Sequence, residues 1–369
     1  MKTVCTSLLG LAGLALVALA TPPARALDSS TGPLRIERVA GELIEPWAVA
    51  FLPGGGLLVT ERGGRLWHIA GGKRTDVAGV PSVAAVGQGG LLDVMVPRDF
   101  AESREVFLSY AKAQGRGEGT ALGVGRLSAD GARLEGFREI FEMAPGARGG
   151  RHFGSRIVEG PDGHLFVTIG ERGDRPSAQD LGQHKGSVIR LNRDGSVPAD
   201  NPFVALAGAQ PEIWSYGHRN PQGAALDLRG RLWVHEHGAR GGDEVNRVEK
   251  GVNYGWPVIS YGRHYSGATI GEGTEKAGMT QPAHYWDPSI APSGLVVYSG
   301  ALWPEWRGDF FAGSLNSDFI SRLDPDAGFA EERLAAPQTG RVRDVAEGPD
   351  GAIWFLSVTN GALYRIVPD

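Results

Sequence analysis

Residues 157–170, Ile157-Val158-Glu159-Gly160-Pro161-Asp162-Gly163-His164-Leu165-Phe166-Val167-Thr168-Ile169-Gly170, decide the fold. Two short apolar runs flank Pro-Asp-Gly, where proline presets one turn dihedral and glycine accepts a positive φ, so the segment reads as a β-hairpin. The same grammar recurs. Residues 47–51 turn at Pro53-Gly54-Gly55-Gly56 into 57–62, residues 223–226 turn at Arg229-Gly230 into 232–236, and Val345-Ala346 turns at Pro349-Asp350-Gly351 into 353–356. Two looser copies, 90–97 leading to 106–110 and 294–298 leading to 309–313, bring the set to six. One phrase repeated along the whole chain predicts an all-β fold, a six-bladed β-propeller with four-stranded antiparallel blades. A β-sandwich does not usually repeat a single two-strand unit in this way. The 56 glycines among 369 residues supply the many tight turns such a ring needs. Residues 174–211 and 263–282 read as inserted loops, ordered by their Pro, Asn and Asp content.

The chain opens with Lys2, an apolar run over 8–19, and Ala24-Arg25-Ala26, the layout of a secretory signal peptide cleaved after Ala26. Residues 27–369 are then expected to form a single propeller domain in a periplasmic or secreted protein. The lone cysteine, Cys5, falls in the leader, so the mature chain is expected to hold together by packing without a disulfide. A net charge of −5, a pI of about 6.0 and the lack of a basic tract argue against nucleic acid as a partner. No apolar run after the leader is long enough for a membrane span.

In a propeller, loops at one mouth converge on the axis, so polar residues far apart in sequence can meet there. Four stretches occupy such positions: Gln88, His152, Arg219-Asn220 and Arg341-Val342-Arg343. His152, set among Gly149, Gly150 and Gly154, is the candidate general base; the competing reading is a histidine that only caps a strand edge. Arg219-Asn220, fixed before Pro221, offers donors to a carbonyl or carboxylate, against the plainer reading of a surface arginine. Arg341 and Arg343 could grip an anion, or simply be surface charge. His235 and His237 would point the same way from a strand, as a zinc pair does, but no third ligand is evident. The Gly-rich turn leading to Asp243-Glu244 better suits a hard cation held by carbonyls and a carboxylate, with calcium the natural choice outside the cytoplasm. The chain has no G-x-G-x-x-G, P-loop, G-x-S-x-G or H-E-x-x-H motif, which weighs against nicotinamide cofactors, nucleotide hydrolysis and the common serine-hydrolase route.

Taken together, these stretches resemble the glucose/sorbosone dehydrogenase family of soluble quinoproteins, over essentially the whole mature chain. The resemblance rests on Gly87-Gln88-Gly89-Gly90, His152 with Gly154-Ser155-Arg156, the run 216–223, Asp243-Glu244, Asn253-Tyr254-Gly255-Trp256-Pro257, Ala291-Pro292-Ser293 and Arg341-Val342-Arg343-Asp344. It implies a six-bladed propeller that binds pyrroloquinoline quinone (PQQ) and calcium and oxidises an aldose at its anomeric carbon to the lactone. His152 would be the base, Gln88 would lie beside cofactor and substrate, and Arg219 and Asn220 would contact the quinone oxygens. Arg341 and Arg343 would clamp the cofactor carboxylates. Gly238 and Ala239 would ligate one calcium through their carbonyls, and Glu244 with the Tyr254 carbonyl would hold a second. The partners implied are a small-molecule sugar and an external electron acceptor, since no C-x-x-C-H haem motif is present.

Three positions depart from the glucose-type pattern. Arg151 replaces the carboxylate before the histidine, so another group must orient the imidazole. Asn316 stands where a cofactor-binding lysine is expected. Asp287 stands where a tryptophan is expected, with Trp286 and Tyr285 adjacent. Arg151 and Asp287 fit the aldose-type branch. Two other functions compete: a secreted propeller that binds a carbohydrate or protein without turnover, and a calcium-dependent lactonase.

Overall fold

The computed structural model describes residues 27–115 and 117–369, so the proposed leader and its cleavage site lie outside the described residues. Six four-stranded antiparallel sheets succeed one another along the chain. Blade 1 comprises Pro46–Phe51, Leu57–Glu61, Arg65–Ala70 and Lys73–Asp76; blade 2 comprises Leu91–Met95, Glu105–Gln114, Gly117–Leu127 and Leu134–Glu142. Blade 3 comprises Gly154–Glu159, Leu165–Ile169, Ser187–Leu191 and Ile213–Tyr216; blade 4 comprises Pro221–Leu226, Leu232–Glu236, Asp243–Arg247 and His284–Trp286. Blade 5 is built from Pro292–Val297, Phe310–Ser314, Ile320–Asp324 and Ala330–Leu334. Blade 6 takes Val342–Glu347, Ile353–Ser357 and Ala362–Pro368 from the end of the chain and its outer strand, Leu34–Ala40, from the beginning. That exchange, with Ile36 opposite Ile366, closes the ring with hydrogen bonds.

Each of the six hairpin phrases is the first and second strand of one blade. These strands are buried along most of their length because both sheet faces pack on neighbouring blades, which is why they read as continuous apolar runs without alternation. The core is correspondingly six slabs, one per blade interface. Leu58 and Leu91 meet between blades 1 and 2, for instance, and Phe311 and Phe355 between blades 5 and 6. The segment 174–211 differs from its reading as an inserted loop: it contains Ser187–Leu191, the third strand of blade 3. Its flanking polar residues mask a strand of only five residues.

Every first strand pairs with its second through a register shift near its start. Such bulges bend the strand and re-aim its side chains, here at the ring's mouth. They also leave inner-strand N–H groups without ladder partners, and buried hydroxyls take them up. Thr60 accepts from Ala48 N and donates to Leu92 O of the next blade, and Ser109 accepts from Asp93 N and donates to Ser155 O. Thr168 likewise accepts from Arg156 N at 2.9 Å and donates to Pro221 O at 2.9 Å. Replacing Thr168 with valine keeps the volume and leaves two buried backbone groups unpaired. The expected cost is on the order of 2 kcal/mol, read as a lower midpoint in denaturant unfolding; an unchanged midpoint would refute the stapling role.

Candidate active site

The starts of the first strands and the ends of the second strands lie at one mouth, and the residues there line two adjoining cavities that share Gln88 and His237. The larger, about 720 Å³, is lined by His152, Arg219, Gly238, Ala239, Arg240, Asp287 and Asn316, among others. The smaller, about 180 Å³, runs toward the axis and includes Trp47, Arg62, Gln222, Arg341 and Arg343 in its wall. His152 and Arg219, from different blades, therefore face one cavity, and Gln88 joins it to the pocket of Arg341 and Arg343.

His152 sits just before blade 3 in the left-handed region, φ 56°, and donates its N–H to Gln88 Oε1 at 2.8 Å. Its Nδ1 is 2.9 Å from Glu171 Oε2, a carboxylate that is only 1% exposed. Glu171 Oε2 also accepts from the Gly173 N–H. A carboxylate only accepts, so the proton resides on Nδ1 and the lone pair on Nε2. Glu171 is thus the group that orients the imidazole in the place left by Arg151. Burial lowers the His152 pKa below its ordinary value, outweighing the opposing pull of Glu171, and Arg219 and Arg151 push the same way as burial.

Arg219 is buried, and no carboxylate forms a salt bridge with it among the described residues. Its N–H donates to Glu236 Oε2 at 2.5 Å, its Nη1 donates to His237 O at 3.1 Å, and its Nε is buried with no partner among the described residues. Trp256 lies under the guanidinium, 5.3 Å away. Asn220 is drawn inward: its Oδ1 accepts from Gly154 N and Gln222 Nε2, both at 3.2 Å. Arg343 donates to Gln222 Oε1 at 2.9 Å and stacks on Trp47 at 4.5 Å, while Arg341 donates to Leu315 O at 2.8 Å. Burial and the neighbouring Arg156 and Arg341 lower the Arg343 pKa, the mark of cations crowded without enough anion. Beneath them Arg156 bridges Asp93 at 2.8 Å and Asp344 at 3.0 Å, a buried floor across the axis.

The loop after the second strand of blade 4 is pinned by Asp243. One oxygen accepts from Gly238 N at 2.7 Å, and the other from Ser289 Oγ, Ile290 N and Ala291 N. Asp243 therefore ties the Gly238-Ala239 backbone to the segment 289–291 that lines the same cavity. His235 and His237 do not pair on a metal: their Nε2 atoms bond to Gly294 O and Pro292 O respectively. Among the described residues no three His, Cys, Asp or Glu side chains converge as metal ligands.

Glu244 lies outside both cavities, directly across the strand pair from Glu236, and Asn246 Nδ2 donates to both. Burial and then Glu236 push the Glu244 pKa up to about 8. Nearby Asn246 Oδ1 is buried without a hydrogen-bond partner among the described residues. Tyr254 stacks its ring on His218 at 4.7 Å. Asn316 donates to Ser289 O at 3.1 Å, and Trp286 turns into the core, donating to Glu331 at 3.0 Å.

Fold and site together define a six-bladed propeller whose mouth presents a carboxylate-oriented histidine facing a cluster of arginines. The chain belongs to the Glucose / Sorbosone dehydrogenase family, whose profile matches residues 43–365. It is 43% identical to the aldose sugar dehydrogenase YliI of Escherichia coli K12, with 93% of this chain and 95% of that protein covered. Among solved structures it is similar to the soluble aldose sugar dehydrogenase (Asd) from Escherichia coli in the apo form. The TM-score is 0.87 at 42% identity, covering 91% of this chain and 100% of that one. It is also similar to the PQQ-bound form of aldose sugar dehydrogenase from Streptomyces coelicolor, with a TM-score of 0.75 at 27% identity over 90% and 98% of the two chains.

Proposed function

We propose that this protein is a PQQ- and calcium-dependent dehydrogenase that oxidises an aldose at its anomeric carbon to the lactone. One observation carries the reading: a base with its Nδ1 held by a buried carboxylate and an arginine with an orphaned Nε line the same cavity. The donor set fits the cofactor. Five arginines against two carboxylates line the two cavities, which suits a ligand bearing several carboxylates. Arg341 and Arg343 would hold those carboxylates, Gln88 would lie beside them, and Arg219 and Asn220 would face the quinone end. Gly238 and Ala239 would present carbonyls to one calcium. Glu244 with the Tyr254 carbonyl would hold the second, where the Glu236 carboxylate opposite Glu244 and the orphaned Asn246 Oδ1 would suit a hard cation.

When bound, PQQ supplies the two-electron acceptor for a hydride, and calcium the Lewis acidity that favours its acceptance. The chain's own part is to bind and to move a proton. His152 Nε2 takes the proton of the anomeric hydroxyl, and Glu171 stabilises the imidazolium through Nδ1. Arg219, buried and without a salt bridge among the described residues, favours negative charge opposite the base. Asp287 and Asn316 line the same larger cavity as His152. The leader-like segment 1–26 supports a periplasmic or secreted location, and the electrons leave to an external acceptor.

In the deciding experiment, mature protein is supplied with PQQ, calcium, an aldose panel and an artificial electron acceptor. Acceptor bleaching that requires PQQ, calcium and an aldose together is expected. No bleaching, or lactone hydrolysis without PQQ, would reject the reading.

A further inference from the structure

The turn that carries His152 is held in place from outside. Gly149, Gly150, His152 and Gly154 all have positive φ, and residues 149–153 belong to no strand. His152 pays for that backbone with side-chain strain that glycine would avoid, so the conformation persists only if its surroundings impose it. Three partners do so. Gly150 N donates to Glu118 Oε1 at 2.8 Å, Arg151 O accepts from Arg172 Nη1, and His152 N donates to Gln88 Oε1 at 2.8 Å. Arg172 and Glu118 are themselves an ion pair, at 3.2 Å, between the loop after the second strand of blade 3 and the third strand of blade 2. The Arg172 side chain is 0% exposed, and its guanidinium lies 3.4 Å from the centre of the Phe153 ring. Neither residue lines either of the two cavities described above.

Burying a guanidinium and a carboxylate is costly, and apolar groups of the same volume would often pack at no loss of stability. What the charged pair adds is direction: it takes hold of one N–H and one C=O on successive residues of the His152 turn. Glu171, the residue before Arg172, grips the imidazole itself. We propose that Arg172 and Glu118 form a positioning pair for His152, with Glu171-Arg172 holding the base by side chain and main chain at once. The proposal rests on His152 being the base, and its test separates the two claims.

The probes are Arg172→Met, which keeps the packing against Phe153 and removes the donors, and Glu118→Gln, which keeps an acceptor for Gly150 and removes the charge. Arg172→Met is expected to lower kcat for aldose oxidation by about tenfold to a hundredfold, the scale of a slightly misplaced catalytic group. The PQQ affinity measured by titration should change little. In NMR titrations, with His152→Gln identifying the resonance, the His152 pKa is expected to rise toward its ordinary 6.5 as water reaches the ring. The charged and titratable groups facing that ring, Glu171, Arg219, Arg151 and His237, are unchanged in the variant. Glu118→Gln should give a smaller effect in the same direction, and the double variant should be no worse than Arg172→Met, because the pair acts as one device. Should Arg172→Met fail to fold, Arg172→Lys and Glu118→Gln give the same readouts. Wild-type kcat together with an unmoved His152 titration would overturn the proposal. If the wild type oxidises no aldose while Arg172→Met still shifts the titration, the positioning stands and the dehydrogenase reading falls.

Discussion

Replacing His152 with glutamine is expected to lower turnover with an aldose by about 10²–10⁴-fold, the range for a lost general base, while PQQ affinity stays nearly the same. Glutamine can still bond to Glu171, and the bond from residue 152 to Gln88 is made by the main chain, so the loop has reason to persist. What disappears is the basic Nε2. Steady-state kinetics beside a PQQ titration check this, and retained turnover would remove His152 from the chemistry. The pH profile offers a second check whose sign is fixed. The base must be unprotonated, and burial lowers the His152 pKa below 6.5. The profile of kcat/KM should therefore be flat across neutral pH, fall only below 6.5, and lose that acid limb in His152→Gln. A limb centred above 6.5 would contradict the burial of the ring.

The inner half of each blade was legible because its signal is local. Pro161-Asp162-Gly163 and Pro349-Asp350-Gly351 state their own turn geometry, and the apolar runs beside them become first and second strands. The outer half has no such signature. His284–Trp286 is three residues long, Ser187–Leu191 hides inside a loop-like segment, and Leu34–Ala40 finds its partner at the far end of the chain. The site divides in the same way. Gln88, His152, Arg219 and Arg341 precede first strands and are framed by Gly or Pro, which marks them in the sequence. Glu171 and Arg172 are the second and third residues after a second strand, in Gly170-Glu171-Arg172-Gly173, just past the position that Arg62 holds in blade 1 and His237 in blade 4. Aligning the ends of the second strands would have brought them forward. Glu118 lies within a strand of eleven residues, and only the blade-to-blade register brings it to Gly150.

Glu171→Ala is expected to lower kcat by about 10²–10³-fold, and Glu171→Gln by roughly tenfold, with the order carrying the argument. Glu171 Oε2 receives two donors, the His152 Nδ1–H and the Gly173 N–H, so a glutamine settles with its oxygen in that place and keeps both bonds. The tautomer survives in the glutamine variant; the negative charge that stabilises the imidazolium does not. Because Glu171 is what holds the His152 pKa up against burial, neutralising it moves the acid limb of kcat/KM to still lower pH and weakens the base. Alanine removes orientation as well, leaving a ring free to place either nitrogen toward the cavity. Nitrogen-15 shifts of the imidazole separate the cases: one tautomer protonated at Nδ1 in the wild type and the glutamine variant, and a mixture in the alanine variant. Equal losses in the two variants would mean that charge alone matters, and that Glu171 does not orient the ring.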